Sequence, residues 1–250
     1  MTTATYTPAA TDARERTAAL DFRGFHHWFA ADAITRSAHS RDTDHATETA
    51  TLKQTILCMI GAAITDNRHR KLWVLYTPYG QSGVGKGVLL QRIIPALLPQ
   101  QHTRIAHDLK QLLAIQRQAD TTDLKYIIGE HIGEHPQPPA KYNRAADILL
   151  RPETTTIIAA HGNTLNALKK SQLRDHLIII PTPGMPPGTL RAPNGATRPK
   201  LDAGLTARII ASELETIRSA ATTAYQTACE PGAETPQCET ALRITHAHRR

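Results

Sequence analysis

Aromatic residues, cysteines and long apolar runs are all scarce in this chain of 250 residues. Aromatic side chains make up only 4% of it, so the core must consist mainly of Ile, Leu, Val and Ala. No apolar run approaches the roughly 18 residues that a membrane-spanning helix needs, and three cysteines are too few for a disulfide scaffold. The first residues lack the basic and then apolar pattern of a secretory signal. We therefore expect a cytoplasmic protein with no membrane association.

Basic residues outnumber acidic ones, 29 to 22, and the net charge is +7. This excess suits a polyanionic partner such as nucleic acid, although a moderately basic charge can also serve only to keep a protein in solution. With 40% hydrophobic and 20% charged residues, the chain can bury a core. Its length suits one sizeable α/β domain with a small helical appendage.

The hydrophobic pattern divides the chain into five parts. We expect a tail (1–19), a helical N-terminal region (20–70), a main core (71–183), a Pro/Gly-rich loop (184–204) and a C-terminal helix with a basic tail (205–250).

Within this plan, apolar runs and helical periodicity alternate along the core. Nearly continuous apolar runs predict buried strands at residues 72–76, 124–128, 155–159 and 177–180. Helical spacing predicts helices at residues 20–33, 52–63, 85–98, 107–118 and 205–228, and residues 36–48 suggest a polar linker. Strands that alternate with helices indicate an α/β fold with a parallel sheet flanked by helices.

A glycine-rich segment lies between the first strand of the core and the following helix. It consists of Gly80, Gln81, Ser82, Gly83, Val84, Gly85, Lys86 and Gly87. The spacing G-x4-G-K is that of the loop that binds phosphates, in which backbone amides surround the anion and the lysine reaches the β- and γ-phosphates. Gly87 stands where a hydroxyl that binds Mg²⁺ is usual, so a metal would depend on water, phosphates and acids elsewhere. An ordinary glycine-rich turn is the alternative.

Three polar residues near later strands are further candidates for nucleotide chemistry. Glu130 follows the strand at 124–128, where an acid would bind Mg²⁺ and orient water. Asn163 follows the strand at 155–159 and would face the γ-phosphate, although Gly-Asn is also a common turn. Arg174 precedes the strand at 177–180 and would reach a neighbouring subunit's nucleotide, or else belong to a basic surface turn.

The order of these motifs over roughly residues 70–183 resembles the superfamily 3 helicase domain, as found in phage, plasmid and poxvirus primase-helicases. The resemblance implies an AAA+-type P-loop NTPase that uses ATP and Mg²⁺. It also implies a homo-oligomeric ring that moves on single-stranded DNA during replication of a mobile element, with priming left to a separate protein. By the resemblance, Lys86 holds phosphate, and Glu130 is the acid at the end of its strand and a candidate Mg²⁺ ligand. Asn163 is the sensor residue that faces the γ-phosphate, and Arg174 is the candidate arginine finger that reaches a neighbouring subunit's nucleotide.

In that family, a hairpin between the acid strand and the sensor strand grips DNA. The matching interval here contains Lys141, Tyr142 and Arg144, in which the cations would neutralise phosphates and the ring would stack on a base. A basic, solvated loop is the alternative.

Two other functions remain open. A nucleotide-dependent module that docks on DNA or a partner without hydrolysis is favoured by Gly87 and by Gly129, which stands where the family often has a first acid. A nucleotide kinase is allowed by the glycine after Lys86. Cys229 and Cys238 are too far apart for the usual zinc pair, so we expect free thiols, with Cys58 buried on its helix.

Overall fold

A parallel β-sheet of five strands forms the centre of the protein in the computed structural model. The structure describes residues 45–76, 86–98, 102–118, 126–129, 137–181, 203–237, 241–242 and 244. The strands are β1 (Leu72–Tyr76), β2 (Thr103–Ala106), β3 (Tyr126–Gly129), β4 (Thr155–Ala160) and β5 (Leu177–Pro181).

Helices precede, connect and follow these strands. They are α1 (His45–Ile64), α2 (Lys86–Val88, continued by a π-helical turn at Leu89–Ile93 and by Ile94–Ala96), α3 (Leu109–Gln118), α4 (Pro139–Leu149), α5 (Gly162–Lys169), α6 (Ala203–Ser212) and α7 (Leu214–Ala228). A short 3₁₀ turn, Arg174–His176, leads into β5.

The strands lie in the order β2–β3–β4–β1–β5, and every neighbouring pair is parallel. The connections from β2 to β3, β3 to β4 and β4 to β5 advance in one direction across the sheet, whereas the connection from β1 to β2 runs in the other. Crossovers between parallel strands are right-handed. Helix α2 therefore lies on the opposite face of the sheet from α3, α4 and α5.

Side-chain contacts of β4 identify the helix layer on each face. Thr155 donates a hydrogen bond to the Ala62 carbonyl in α1 (2.7 Å), and Gln116 in α3 donates to the hydroxyl of Thr156 (3.0 Å). Because successive side chains of a strand point to opposite faces, α1 and α3 cover different faces. Helices α2, α6, α7 and α1 contact one another in that order, as do α3, α4 and α5. The fold is thus a sheet between two helical layers.

Close packing joins α1 to α7. A Cβ atom built on Gly61 would lie 2.2 Å from the carbonyl oxygen of Ala221 and 2.5 Å from the Cβ of Tyr225. The two helices therefore cross at a point where only glycine fits. Next to it, the thiol of Cys58 donates to the Ala224 carbonyl (3.3 Å).

The predicted α/β class, with a parallel sheet flanked by helices, is confirmed, as are the four predicted strands to within two residues. The helices predicted at 52–63, 85–98 and 107–118 are also present as α1, α2 and α3. The predicted helix at 20–33, the tail, the phosphate loop up to residue 85 and residues 184–202 of the predicted loop lie outside the described residues. The end of that predicted loop, residues 203–204, is wrong, because helix α6 already begins at Ala203.

Several expectations were wrong. The end of the predicted linker, from residue 45, is already helical in α1. The predicted helix at 205–228 is two helices, separated at Glu213. Strand β2 was not predicted, and the interval expected to form a basic loop or hairpin contains helix α4. In the part of the chain that the structure describes, no helix is long and apolar enough to cross a membrane.

Candidate functional site

The carboxyl ends of β1 and β4 lie side by side, and this edge of the sheet is the place to look for a ligand. Tyr76, the last residue of β1, is the register partner of Ala160, the last residue of β4. The chain leaving β1 runs towards β2, and the chain leaving β4 runs in the opposite direction towards β5. In open α/β sheets, ligands bind where neighbouring connections diverge in this way, because a crevice opens outside the carboxyl ends of the strands.

Lys86 lies in the first turn of α2, the helix that follows β1. Burial lowers the pKa of its ammonium group from 10.5 to about 8, since removal from water penalises the charged form. Free backbone amides and the helix dipole make the start of such a helix positive. A phosphate group bound there would favour the charged amine that burial disfavours. Gly87 follows it in the helix and offers no side chain to a metal.

Helix α5 begins at the same edge of the sheet, directly after β4. His161 is the N-cap residue in an extended conformation, with φ −106° and ψ 174°, and the helix begins at Gly162. Asn163 is exposed in the first helical turn. Gly162 and Asn163 therefore begin a helix and do not form the alternative Gly-Asn turn, and this helix start lies beyond the strand that adjoins β1. The fold brings Asn163 to the same edge of the sheet as Lys86.

The predicted strand acid, Glu130, lies outside the described residues, as do Gly80, Gln81, Ser82, Gly83, Val84 and Gly85. Strand β3 ends at Gly129, whose register partner in β4 is Ile158. No group of three side chains suited to holding a metal ion occurs in the described ranges.

Arg174 lies at the opposite edge of the sheet. It belongs to the 3₁₀ turn that leads into the amino end of β5, and β5 runs parallel to β1. The length of the sheet therefore separates it from Lys86 of the same chain. A contact between Arg174 and nucleotide would need a second copy of the chain.

Of the predicted DNA-binding residues, only the two cations remain on the surface. Lys141 donates to Gln137 Oε1 (2.7 Å), and Arg144 Nε donates to the Ala140 carbonyl (3.4 Å). Tyr142 is fully buried and packs in the core, and burial raises the pKa of its phenol. The prediction that its ring stacks on a base was wrong, because the ring is inaccessible.

No protein-family model matches this chain, and no curated protein matches it either. A functional proposal therefore rests on the residues and on the geometry that they adopt.

Two buried polar residues were not anticipated from the sequence. Asn67, between α1 and β1, is 0% exposed, and its side chain bonds to the backbone of Lys71. Lys169, at the end of α5, is buried and donates to the carbonyl of Ile244 in the C-terminal segment. An Asp-Asn pair shortly after a helix, here Asp66 and Asn67, is a recognisable turn signal, whereas the burial of Lys169 has no sequence signature.

Proposed function

We propose that this protein is an ATP-binding P-loop NTPase of the AAA+ type. In this proposal it acts as a DNA helicase, or a helicase-like ATPase, on single-stranded DNA during replication of a phage, plasmid or other mobile element. The observation that carries the proposal is the position of Lys86. It lies in the first turn of the helix that follows β1, beside the point where the connections from β1 and β4 diverge.

The chemistry of Lys86 supports a phosphate ligand. Burial penalises the charged form of the Lys86 ammonium group, and the negative charge of a bound triphosphate would favour that form. The amides at the start of α2 would add hydrogen bonds to the same anion. Mg²⁺ bound with the nucleotide would be held by phosphate oxygens and water, with Glu130 as the candidate protein ligand.

Asn163 would supply a second polar side chain at the carboxyl ends of β1 and β4. Asn163 lies in the first turn of α5, beyond the strand next to β1, and its amide would orient a water molecule for attack on the γ-phosphate. In this proposal the protein forms a homo-oligomeric ring, and Arg174 takes the second role that the sequence allows, a basic surface turn at the amino edge of the sheet, rather than a contact with a neighbouring subunit's nucleotide.

A second function is favoured by Gly87. Because this residue carries no hydroxyl for Mg²⁺, the protein would bind nucleotide without turnover and dock on DNA or on a replication partner.

Measured release of inorganic phosphate from Mg-ATP, with and without single-stranded DNA, tests the proposal. We expect turnover that DNA stimulates and that Lys86→Ala abolishes. Arg92→Ala is the matched control, because Arg92 is an exposed cation in the same helix. Nucleotide binding without turnover would instead support the docking module. Absence of both binding and turnover in the unmodified protein would overturn the proposal.

A further inference from the structure

Positive charge is concentrated at the amino edge of the sheet, opposite the candidate nucleotide site. The segments that lead into β1, β4 and β5 are residues 66–71, 151–154 and 169–176, and they carry seven lysine and arginine residues against three acids. The cations are Arg68, Arg70, Lys71, Arg151, Lys169, Lys170 and Arg174, and the acids are Asp66, Glu153 and Asp175. We call the solvent-accessible cations Arg70, Lys71, Lys170 and Arg174 the amino-edge patch, since the charge of Arg68 is balanced by Asp66.

A buried asparagine fixes the backbone of one part of this patch. The side-chain amide of Asn67 donates to the Lys71 carbonyl (2.9 Å), and its side-chain oxygen accepts from the Lys71 amide (3.0 Å). The Asn67 backbone amide donates to the Pro152 carbonyl (2.7 Å), which ties the loop to the segment before β4. Because these groups are buried and paired, the loop holds its exposed cations in one arrangement.

Arg70 has an unfavourable backbone conformation within that loop. Its φ is 49°, in the left-handed region that glycine or asparagine adopts more readily. The Arg70 amide donates to the Asn67 carbonyl (2.8 Å), which holds the turn closed. An arginine at a position that would suit glycine better points to a role for its exposed guanidinium group.

Two contacts bring this loop beside Arg174. His176 Nδ1 lies 3.1 Å from the carbonyl of Arg70, and Lys71 Nζ donates to the Asp175 carbonyl (3.4 Å). The turn before β5 is therefore joined to the loop before β1, and their cations form one surface. Arg68 pairs with Asp66 at 2.7 Å, which neutralises one acid of the edge.

Cations held this close together repel one another. The pKa of Lys169 is lowered first by burial and then by the charge of Arg174. An anion that spans several of the exposed cations would relieve this repulsion, and a phosphodiester chain, with a charge on every nucleotide, is such an anion.

We propose that the amino-edge patch binds the phosphate backbone of single-stranded nucleic acid. The kind of partner rests on the proposed function, whereas the position of the surface rests on the contacts above. Among the aromatic residues of the described part of the chain, Trp73, Tyr142 and Tyr225 are buried and cannot stack on bases, and the half-buried Tyr76 lies at the carboxyl end of β1, away from the patch. Binding through the backbone alone predicts strong salt dependence and little sequence preference.

Fluorescence anisotropy with a labelled oligothymidylate of about 30 nucleotides, in the absence of nucleotide, tests this surface. The test variant is Arg70→Asn with Arg174→Gln, in which asparagine tolerates the left-handed backbone. The control variant is Lys141→Gln with Arg144→Gln. It also removes two exposed cations, but from the surface of α4 that the sequence predicted to bind DNA. A third variant, Lys170→Gln with Arg174→Gln, leaves the Asn67 loop untouched and keeps the test valid if the first variant fails to fold.

Each lost phosphate contact should weaken binding about fivefold at about 0.1 M salt and lower the salt slope by about 0.7. We therefore expect about 25-fold weaker binding for each amino-edge variant and a much smaller change for the α4 variant. A larger loss in the α4 variant, or equal losses in both, would overturn the proposal, and so would the absence of DNA binding by the unmodified protein. Binding of an ATP analogue, measured in parallel, distinguishes this failure from failure of the nucleotide site.

Discussion

Gly61→Ala is the substitution for which the structure predicts the clearest loss of stability. The new methyl group would lie 2.2 Å from the carbonyl oxygen of Ala221 and 2.5 Å from the Cβ of Tyr225. Both neighbours belong to the backbone, or to the first side-chain atom, of α7, so neither can rotate away. Helix α7 must therefore move as a body, or α1 must bend.

The expected magnitude follows from that displacement. Non-bonded carbon contacts are optimal at roughly 3.5–4.0 Å, so α1 and α7 must separate by about 1 Å or more. Overpacking of this kind costs about 3 kcal/mol, at the upper end of the usual range. Alanine regains about 1 kcal/mol over glycine inside a helix. We expect a net loss of about 2 kcal/mol in the free energy of unfolding, or roughly 4–8 °C in Tm for a chain of this size.

Urea titration followed by helical circular dichroism measures this loss. Gly162→Ala is the matched control, because a Cβ at Gly162 meets nothing within 4 Å. We expect that variant to remain within about 0.5 kcal/mol of the unmodified protein. Equal stability of the two variants would refute the close crossing of α1 and α7.

Three further predictions concern other parts of the structure. Asn67→Ala removes both side-chain hydrogen bonds to the partly buried backbone of Lys71, so the free energy of unfolding should fall by about 1–3 kcal/mol in the same titration; an unchanged value would contradict a stabilising role of these hydrogen bonds. Burial raises the pKa of Cys58 to about 12, so mass spectrometry after iodoacetamide treatment should find this thiol modified only in denatured protein; rapid labelling of native protein would count against its burial. Burial lowers the pKa of Lys86 to about 8, so the protein without bound nucleotide loses this positive charge as the pH rises through that value. The affinity for an ATP analogue should therefore fall about tenfold per pH unit above it. Lys86→Arg should bind without that fall, and a constant affinity of the unmodified protein from about pH 7 to about pH 9.5 would refute the assigned burial.

The strands of the core were predictable because they are fully buried. Strands β4 and β5 consist of buried residues throughout, and their β-branched and apolar sequences, TTIIAA and LIIIP, identify them without further context. Strand β2 lies at the edge of the sheet, and only its last residue is buried. A short, half-exposed strand that begins Thr103-Arg104 lacks both an apolar run and a clear alternation.

Helix α4 shows how a resemblance can hide a local pattern. Its buried residues are Tyr142, Ala145, Ala146 and Leu149, a spacing of three, four and seven that is typical of one helical face. Those positions predict a helix, but the family resemblance suggested a DNA-binding hairpin there. The periodicity is the more direct evidence, since it reflects which side chains the helix buries.

The candidate site was predictable in part, for a physical reason. Lys86 and Asn163 follow buried strands, and the carboxyl ends of parallel strands share one edge of a sheet, so motif order alone brings them together. The amino-edge patch depends on which strands are neighbours. The pairing of β1 with β5 joins Arg70 to the turn of Arg174, and no local sequence pattern encodes that pairing.

Equilibrium binding of a fluorescent ATP analogue is the most direct test of the central claim that phosphate binds beside Lys86. We expect saturable binding by the unmodified protein, with the same affinity in Arg92→Ala. In Lys86→Ala, the lost charge-assisted contact should weaken binding about 10- to 100-fold. Equal affinity of Lys86→Ala and the unmodified protein would contradict a phosphate site at the carboxyl ends of β1 and β4.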